Sequence, residues 1–204
     1  MLSLRQYLKG LQEITHMMAA GGRFTSVTLS LLLAVLLLLA SAARADDSAT
    51  AALAQQRAKA VTQVVLGILS YARWPTDPLP LRLCLVGPTE YADDLIKGNV
   101  QSAGQALQVR RLLADDAQVA QACDAIYIGK LDQAQRDRLF QSLSGQPVLS
   151  ISEADDSCTV GSLFCLRVSD QQVAFEVNLD SVARSGVRIH PSVLQLSRRR
   201  AAQP

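Results

Sequence analysis

The chain has 204 residues, of which 49% are hydrophobic and 19% are charged, and its formal net charge is +2. This apolar content excludes an intrinsically disordered chain, because disordered segments lack the hydrophobic residues that offset the entropy of ordering. The small net charge argues against nucleic-acid binding, which needs a strong positive field to attract phosphates.

The N-terminal segment predicts a secretory signal. Residues 24–43 contain no charged side chain, include a leucine-rich run at 29–40 and follow three basic residues. Ala43 and Ala45 are the small side chains that signal peptidase requires, so we predict cleavage after Ala45. The alternative is an uncleaved membrane anchor, because about 20 apolar residues can span a bilayer. The short leucine-rich core and the Ala-x-Ala site favour cleavage and export.

Removal of residues 1–45 changes the charge of the protein. The remaining 159 of the 204 residues carry 16 basic and 17 acidic side chains, a net charge of −1. A chain of this length buries about 70% of its unfolded surface in one core. We therefore expect a signal peptide at 1–45 and a single α/β domain over 46–204.

Helical and strand-like segments alternate along most of this domain. The spacing of apolar residues predicts a first helix over 48–73, which ends at Trp74 because a residue before proline avoids the α conformation. Strands are predicted at 81–86, 107–113, 125–128 and 148–151, separated by helices at 89–97, 115–121 and 132–143. Alternation of this kind is typical of a parallel sheet covered on both faces.

The pattern changes in the last third of the chain. Two strand-like segments, 163–168 and 172–178, are separated by turn-forming residues, which predicts an antiparallel hairpin. Helices are predicted at 179–184 and 192–200. The expected fold is therefore a three-layer α/β sandwich, in which a mostly parallel central sheet with an antiparallel C-terminal hairpin is flanked by helices.

The exported part contains an even number of cysteines: Cys84, Cys123, Cys158 and Cys165. In an oxidising compartment such a set indicates disulfides, and four cysteines permit three pairings. Cys158 and Cys165 flank a short segment that Gly161 can turn, so a local bridge closes easily and leaves Cys84 with Cys123. Thiol exchange and zinc binding are less favoured, since no Cys-x-x-Cys is present and zinc would compete with oxidation.

The sequence lacks the motifs of common enzyme classes. The exported part has one histidine, His190, and no nucleophile-elbow, dinucleotide-binding or P-loop pattern. We therefore expect a binding or regulatory protein and not an enzyme, with no cofactor and no metal site.

Three stretches of the chain resemble the YfiR family of exported proteins: 67–75, 159–166 and 175–196. The third is the most specific, with Asn178-Leu179-Asp180 followed by Ala183-Arg184-Ser185-Gly186 and a proline at 191. The resemblance extends over essentially the whole exported domain and includes all four cysteines.

This resemblance implies a function. A YfiR-like protein is expected to bind the periplasmic sensor domain of the membrane diguanylate cyclase YfiN and repress cyclic-di-GMP synthesis, which controls biofilm and exopolysaccharide formation. The outer-membrane lipoprotein YfiB is expected to release it, and reduction of the disulfides to weaken repression. The alternative class is a periplasmic small-molecule sensor or carrier. A monomer and a homodimer both remain open.

We expect the interaction surface on residues 175–190. Apolar strand positions alternate with Glu176 and Asn178, which predicts that these two side chains face outward. Arg188 and His190 also alternate with apolar residues, so their side chains should project from the same face. One interpretation is that they form a solvated edge. The other is that they contact a partner or a small anionic ligand, since the arginine guanidinium matches the geometry of a carboxylate.

Overall fold

A computed structural model describes residues 48–97, 101–102, 104–153, 158–159, 161–170 and 172–196. The chain divides into two compact units, Met1–Ala51 and Ala52–Pro204, and the contacts given below lie within the second. The predicted leader and its cleavage site after Ala45 lie outside the described residues. Within the described ranges, no helix is both long and apolar enough to cross a membrane.

Helices and strands alternate as the sequence predicts. The helices of the described part are α1 (48–70), α2 (Asp93–Lys97), α3 (Val119–Ala122), α4 (Gln133–Leu143) and α5 (Leu179–Arg184). A 3₁₀ turn at Pro191–Val193 follows and leads into helical residues 194–196, where a helix over 192–200 was expected. The strands are β1 (Ala72–Arg73), β2 (Leu81–Val86), β3 (Gln101–Ser102), β4 (Gln105–Leu112), β5 (Ala125–Ile128), β6 (Leu149–Ser152), β7 (Phe164–Val168), β8 (Val173–Val177) and β9 (Arg188–Ile189).

One large sheet organises the fold, with its strands in the order β3-β4-β2-β5-β6-β7-β8. The inner strands from β4 to β7 run parallel, whereas β3 and β8 pair antiparallel with their neighbours at the two edges. Strands β1 and β9 form a separate two-stranded antiparallel sheet. The predicted parallel sheet with an antiparallel C-terminal hairpin is confirmed.

Consecutive residues of β2 show that helices cover both faces of the large sheet. Leu83 belongs to an apolar cluster with Ile68 of α1. Its neighbour Cys84 lies in a second cluster with Val119 of α3 and Leu139 of α4. Because successive side chains of a strand point to opposite faces, these clusters form two core layers and the fold has three layers.

Several element boundaries differ from the predicted ones. Helix α3 begins at Val119, four residues later than predicted, because the Asp116 carboxylate accepts the Gln118 N–H at 2.8 Å and closes a turn there. Helix α1 ends at residue 70, and α2 begins at Asp93. Strands β1, β3 and β9 are only two residues long, which is too short for an alternating pattern to show.

Both predicted disulfides are confirmed. Cys84 in β2 is bonded to Cys123, which follows α3, and both residues are buried. Cys158 is bonded to Cys165 in β7 across a separation of seven residues. The first bridge therefore ties a central strand to a covering helix, whereas the second closes a local loop.

Asp124, the buried residue before β5, connects β2 through its carboxylate and the segment after β1 through its backbone carbonyl. The Asp124 side chain accepts hydrogen bonds from the backbone N–H and the guanidinium of Arg82 at 2.7–3.0 Å, and this contact raises the pKa of Arg82. The Trp74 indole N–H donates to the Asp124 carbonyl at 2.8 Å. Trp74 is thereby held against the core, which fixes the segment that leaves β1.

Candidate functional site

Strand β8 forms one edge of the large sheet, and Glu176 lies on it. Phe175 packs edge-to-face on Phe164 of β7, with 5.7 Å between the ring centroids. Glu176 points to the opposite face of the strand, its side chain is 54% exposed, and it accepts a hydrogen bond from Arg167 Nε at 3.2 Å. The prediction that Glu176 is exposed is therefore confirmed.

The prediction that Asn178 faces outward is wrong. Strand β8 ends at Val177, and Asn178 is the N-cap of α5 with 9% of its surface exposed. Its Oδ1 accepts the N–H of Ser181 at 2.9 Å, and its Nδ2 donates to the Cys158 carbonyl at 3.1 Å. Asn178 therefore acts as a structural residue that joins α5 to the disulfide loop.

Arg188 lies on the small sheet of β1 and β9. Its pairing partner across the sheet is Arg73, and both side chains are exposed. One guanidinium nitrogen of Arg73 donates to the carbonyls of Ser70 and Ala72 at 2.9 and 2.7 Å, near the end of α1. Two arginines at opposed positions concentrate positive charge at this end of the fold.

His190 continues from the same strand and is exposed, as predicted. Its ring stacks on Tyr71 with 6.2 Å between the centroids, and its backbone N–H donates to the Tyr71 carbonyl at 2.9 Å. The His190 Nδ1 accepts the N–H of Ser192 at 3.2 Å and caps the 3₁₀ turn. The neutral ring therefore carries its proton on Nε2, the nitrogen that is available for an outside partner.

Arg188 and His190 line a shared cavity of about 440 Å³. Its walls are formed by Ser70, Tyr71, Arg73, Arg188, Ile189, His190 and Pro191. Glu176 and Asn178 do not belong to this lining, so the structure brings together two of the four predicted residues. With two guanidinium groups, an imidazole and a tyrosine ring, the cavity suits a small anion.

Arg73 is the residue of this site that sequence reasoning missed. Arg73 lies opposite Arg188 because β1 and β9 pair with each other. Each of these strands has only two residues, and the two arginines are more than a hundred positions apart in the chain. No pattern in the sequence marks so short a pairing, whereas the alternation around Arg188 is visible.

The chain matches a known protein family. A family model described as YfiR/HmsC-like matches residues 58–198 of the chain. The matched range contains every strand of the described part, both disulfides and the cavity that Arg73, Arg188 and His190 line. Proteins of this family are regulatory rather than catalytic.

Proposed function

Because the chain belongs to the YfiR/HmsC-like family, we propose that it is a periplasmic negative regulator of an inner-membrane diguanylate cyclase. It binds the periplasmic sensor domain of a YfiN-type cyclase and keeps cyclic-di-GMP synthesis low. The observation that carries this proposal is the extent of the family match, which covers residues 58–198 and therefore nearly the whole folded unit.

The disulfides support the periplasmic location. All four cysteines are paired, and such bonds persist in oxidising compartments but are rare in the cytosol. In this proposal residues 1–45 are a signal peptide that is cleaved after Ala45, and residues 46–204 are the exported domain.

The partner surface combines an exposed sheet edge with a positive patch. Glu176 is exposed on β8, which pairs with β7 along one side. Edge strands expose backbone groups that another chain can meet. Arg188 and His190 add exposed polar groups on the small sheet, whereas buried Asn178 supports the surface from within.

Release and redox control complete the proposal. An outer-membrane lipoprotein of the YfiB type binds the regulator and frees the cyclase, as the family resemblance implies. Reduction of Cys84–Cys123 removes the bond between β2 and the segment after α3, which weakens the fold and with it repression.

A small-molecule sensor is a second candidate function, and one observation favours it. Arg73 and Arg188 are placed opposite each other beside a cavity of about 440 Å³, a size typical of ligand pockets. A small anion bound there would offset the repulsion between the arginines and would tune repression.

The test is a binding measurement between the purified protein and the periplasmic domain of the cyclase, with no ligand added. We expect saturable binding that Glu176→Lys weakens. Asp93→Lys is the matched control, because Asp93 is another exposed acid that pairs with a base, Lys97, at 3.5 Å. If the protein binds small anions but not the cyclase domain, it is a sensor or carrier and the repressor proposal is wrong.

A further inference from the structure

A second cavity lies away from the small sheet, at the carboxyl ends of the parallel strands. It has a volume of about 610 Å³ and lies beside the residues that follow β2, β5 and β6 and the C-terminal half of β7. Strand β4 pairs with one side of β2, and the next strand along the chain, β5, pairs with the other side. The direction in which successive strands are added to the sheet therefore reverses between β2 and β5. In open α/β sheets, ligands bind outside the carboxyl ends of the strands at such a reversal.

Two loops of this cavity are held together by backbone contacts. The Gly129 N–H donates to the Val86 carbonyl at 2.9 Å, and the Lys130 N–H donates to the Pro88 carbonyl at 2.8 Å. A Cβ atom on Gly129 would lie 1.9 Å from the Pro88 oxygen, so a glycine is required at this approach. The cavity wall is therefore preformed.

Glu153, which follows β6, places a half-buried carboxylate in the lining. Its Oε2 accepts the Tyr127 hydroxyl at 2.6 Å and the Tyr91 N–H at 3.3 Å. Its Oε1 accepts one hydrogen bond, from the Glu90 N–H at 2.6 Å, and a carboxylate oxygen has room for a second. The carboxylate is thus held in one orientation with acceptor capacity left.

This carboxylate lacks a positive partner in the described part of the chain, where no lysine or arginine forms an ion pair with it. Burial raises the pKa of Glu153, and it outweighs the hydrogen bonds from Tyr127, Glu90 and Tyr91, which lower it. Desolvated charges are normally paired, so the site is short of a cation.

The other lining groups indicate what kind of cation fits. Tyr91 adds an aromatic ring, and burial together with the neighbouring Glu90 carboxylate raises its pKa to about 12. Val168 and Ala174 contribute apolar atoms to the lining from opposite faces of the β7–β8 hairpin, and Leu166, which is buried in the core, borders it. An organic ammonium uses a carboxylate, an aromatic ring and apolar lining atoms together.

The basic groups of the lining do not already serve this purpose. Arg167 is paired with Glu176 on the neighbouring strand, and Lys130 is exposed and stays hydrated. A metal ion is less suited, because no group of three or more acidic, histidine or cysteine residues in the described ranges is arranged to hold one.

We propose that this cavity binds a small protonated amine with a hydrocarbon portion. Its ammonium group donates to Glu153 Oε1 beside Tyr91, and its hydrocarbon portion packs against the apolar atoms that Val168 and Ala174 contribute to the lining. This inference does not depend on the cyclase-binding proposal, since none of its contacts involves Glu176, Arg188 or His190.

The test is a titration of isotope-labelled protein, purified from the periplasmic fraction, with n-butylamine followed by NMR. We expect saturable shifts of the amide signals of Glu90, Tyr91 and Lys130. Equal concentrations of n-butanol and of butyrate, which have the same chain length without the positive charge, should leave these signals in place.

Two variants locate the contacts. Glu153→Gln keeps the side-chain shape and removes the charge, and it should weaken butylamine binding about tenfold or more. Ala174→Leu places a larger side chain in the cavity lining without touching the hydrogen bonds of Glu153, and it should cause a similar loss even if Glu153→Gln does not fold. Asp137→Asn is the control, since Asp137 is an exposed acid on α4 outside the lining, and it should bind like the wild type.

Several results would overturn the proposal. They are the absence of saturable shifts with butylamine, equal binding of butanol, unchanged affinity in both Glu153→Gln and Ala174→Leu, or a response to calcium ions but not to the amine.

Discussion

Arg73 and Arg188 lie directly opposite each other in the antiparallel pair of β1 and β9. Like charges at opposed positions destabilise a strand pair, whereas opposite charges contribute about 0.2–1 kcal/mol. Arg188→Glu should therefore leave the free energy of unfolding unchanged or raise it by a few tenths of a kcal/mol. The same substitution should weaken binding of the cyclase domain several-fold, because it inverts the charge of the patch.

Urea unfolding and a binding isotherm on the same preparation check both parts. Arg188→Gln separates them, since it removes the repulsion without inverting the charge and should have an intermediate effect on binding. Unchanged affinity in Arg188→Glu and in Glu176→Lys, with an unchanged melting temperature, would move the interface to another surface.

Asn178→Ala should destabilise the protein by about 1 kcal/mol or more, because it removes the N-cap of α5 and the bond to the Cys158 carbonyl. Asn178→Asp keeps the acceptor for the Ser181 N–H and loses the donor, so its cost should be smaller. The check is chemical denaturation. If both variants keep wild-type stability and lose cyclase binding, Asn178 is a contact residue after all.

The two disulfides should differ in their effect on stability. In the loop-closure model, a separation of 39 residues is worth about 4 kcal/mol and one of seven residues about 2 kcal/mol. The double variant Cys84→Ala/Cys123→Ala should therefore be less stable than Cys158→Ala/Cys165→Ala. Denaturant midpoints compare them, and the opposite order would show that the local loop is the stronger constraint.

Glu153 should make stability depend on pH in a particular direction. Burial raises its pKa above the usual 4.5, so the folded protein holds this proton more tightly than the unfolded chain. Its contribution to stability is present below the unfolded pKa and is lost as pH rises through the folded pKa. Relative to Glu153→Gln, the wild type should therefore gain stability as pH is lowered from about 7 to about 4.

Other titratable groups face the same cavity and must be separated from Glu153. Glu90, Lys130 and Arg167 are present in both proteins, and burial raises the pKa of Tyr91 and of Tyr127, so these two hydroxyls stay protonated over this range. Denaturation curves at several pH values give the comparison. A difference that stays constant or changes in the opposite direction would contradict the raised pKa.

The main elements of the fold could be predicted because their signals are local. The apolar run of β2 marks a strand buried on both faces, and the Gly-Gln-Pro turn before β6 separates it clearly from α4. The disulfide pairing followed from the short spacing of Cys158 and Cys165. Each inference needed residues within a few positions of one another.

The site residues were harder to predict because their relationships are distant in the chain. The alternating pattern of β8 was extended by one residue too many, to Asn178. This residue instead caps α5, a role for which asparagine before a helix is common. Arg73 meets Arg188, and Glu153 meets Tyr127 and Glu90, only through the sheet topology. No spacing in the sequence reports such contacts.

The most direct test of the regulatory function is deletion of the gene in a strain that carries the cyclase, followed by measurement of cellular cyclic-di-GMP. A parallel strain that also lacks the cyclase gene is the control, and complementation with Glu176→Lys tests the partner surface in the cell. We predict that deletion raises cyclic-di-GMP, that the rise is absent without the cyclase and that the wild-type gene reverses it. An unchanged level after deletion would contradict the account.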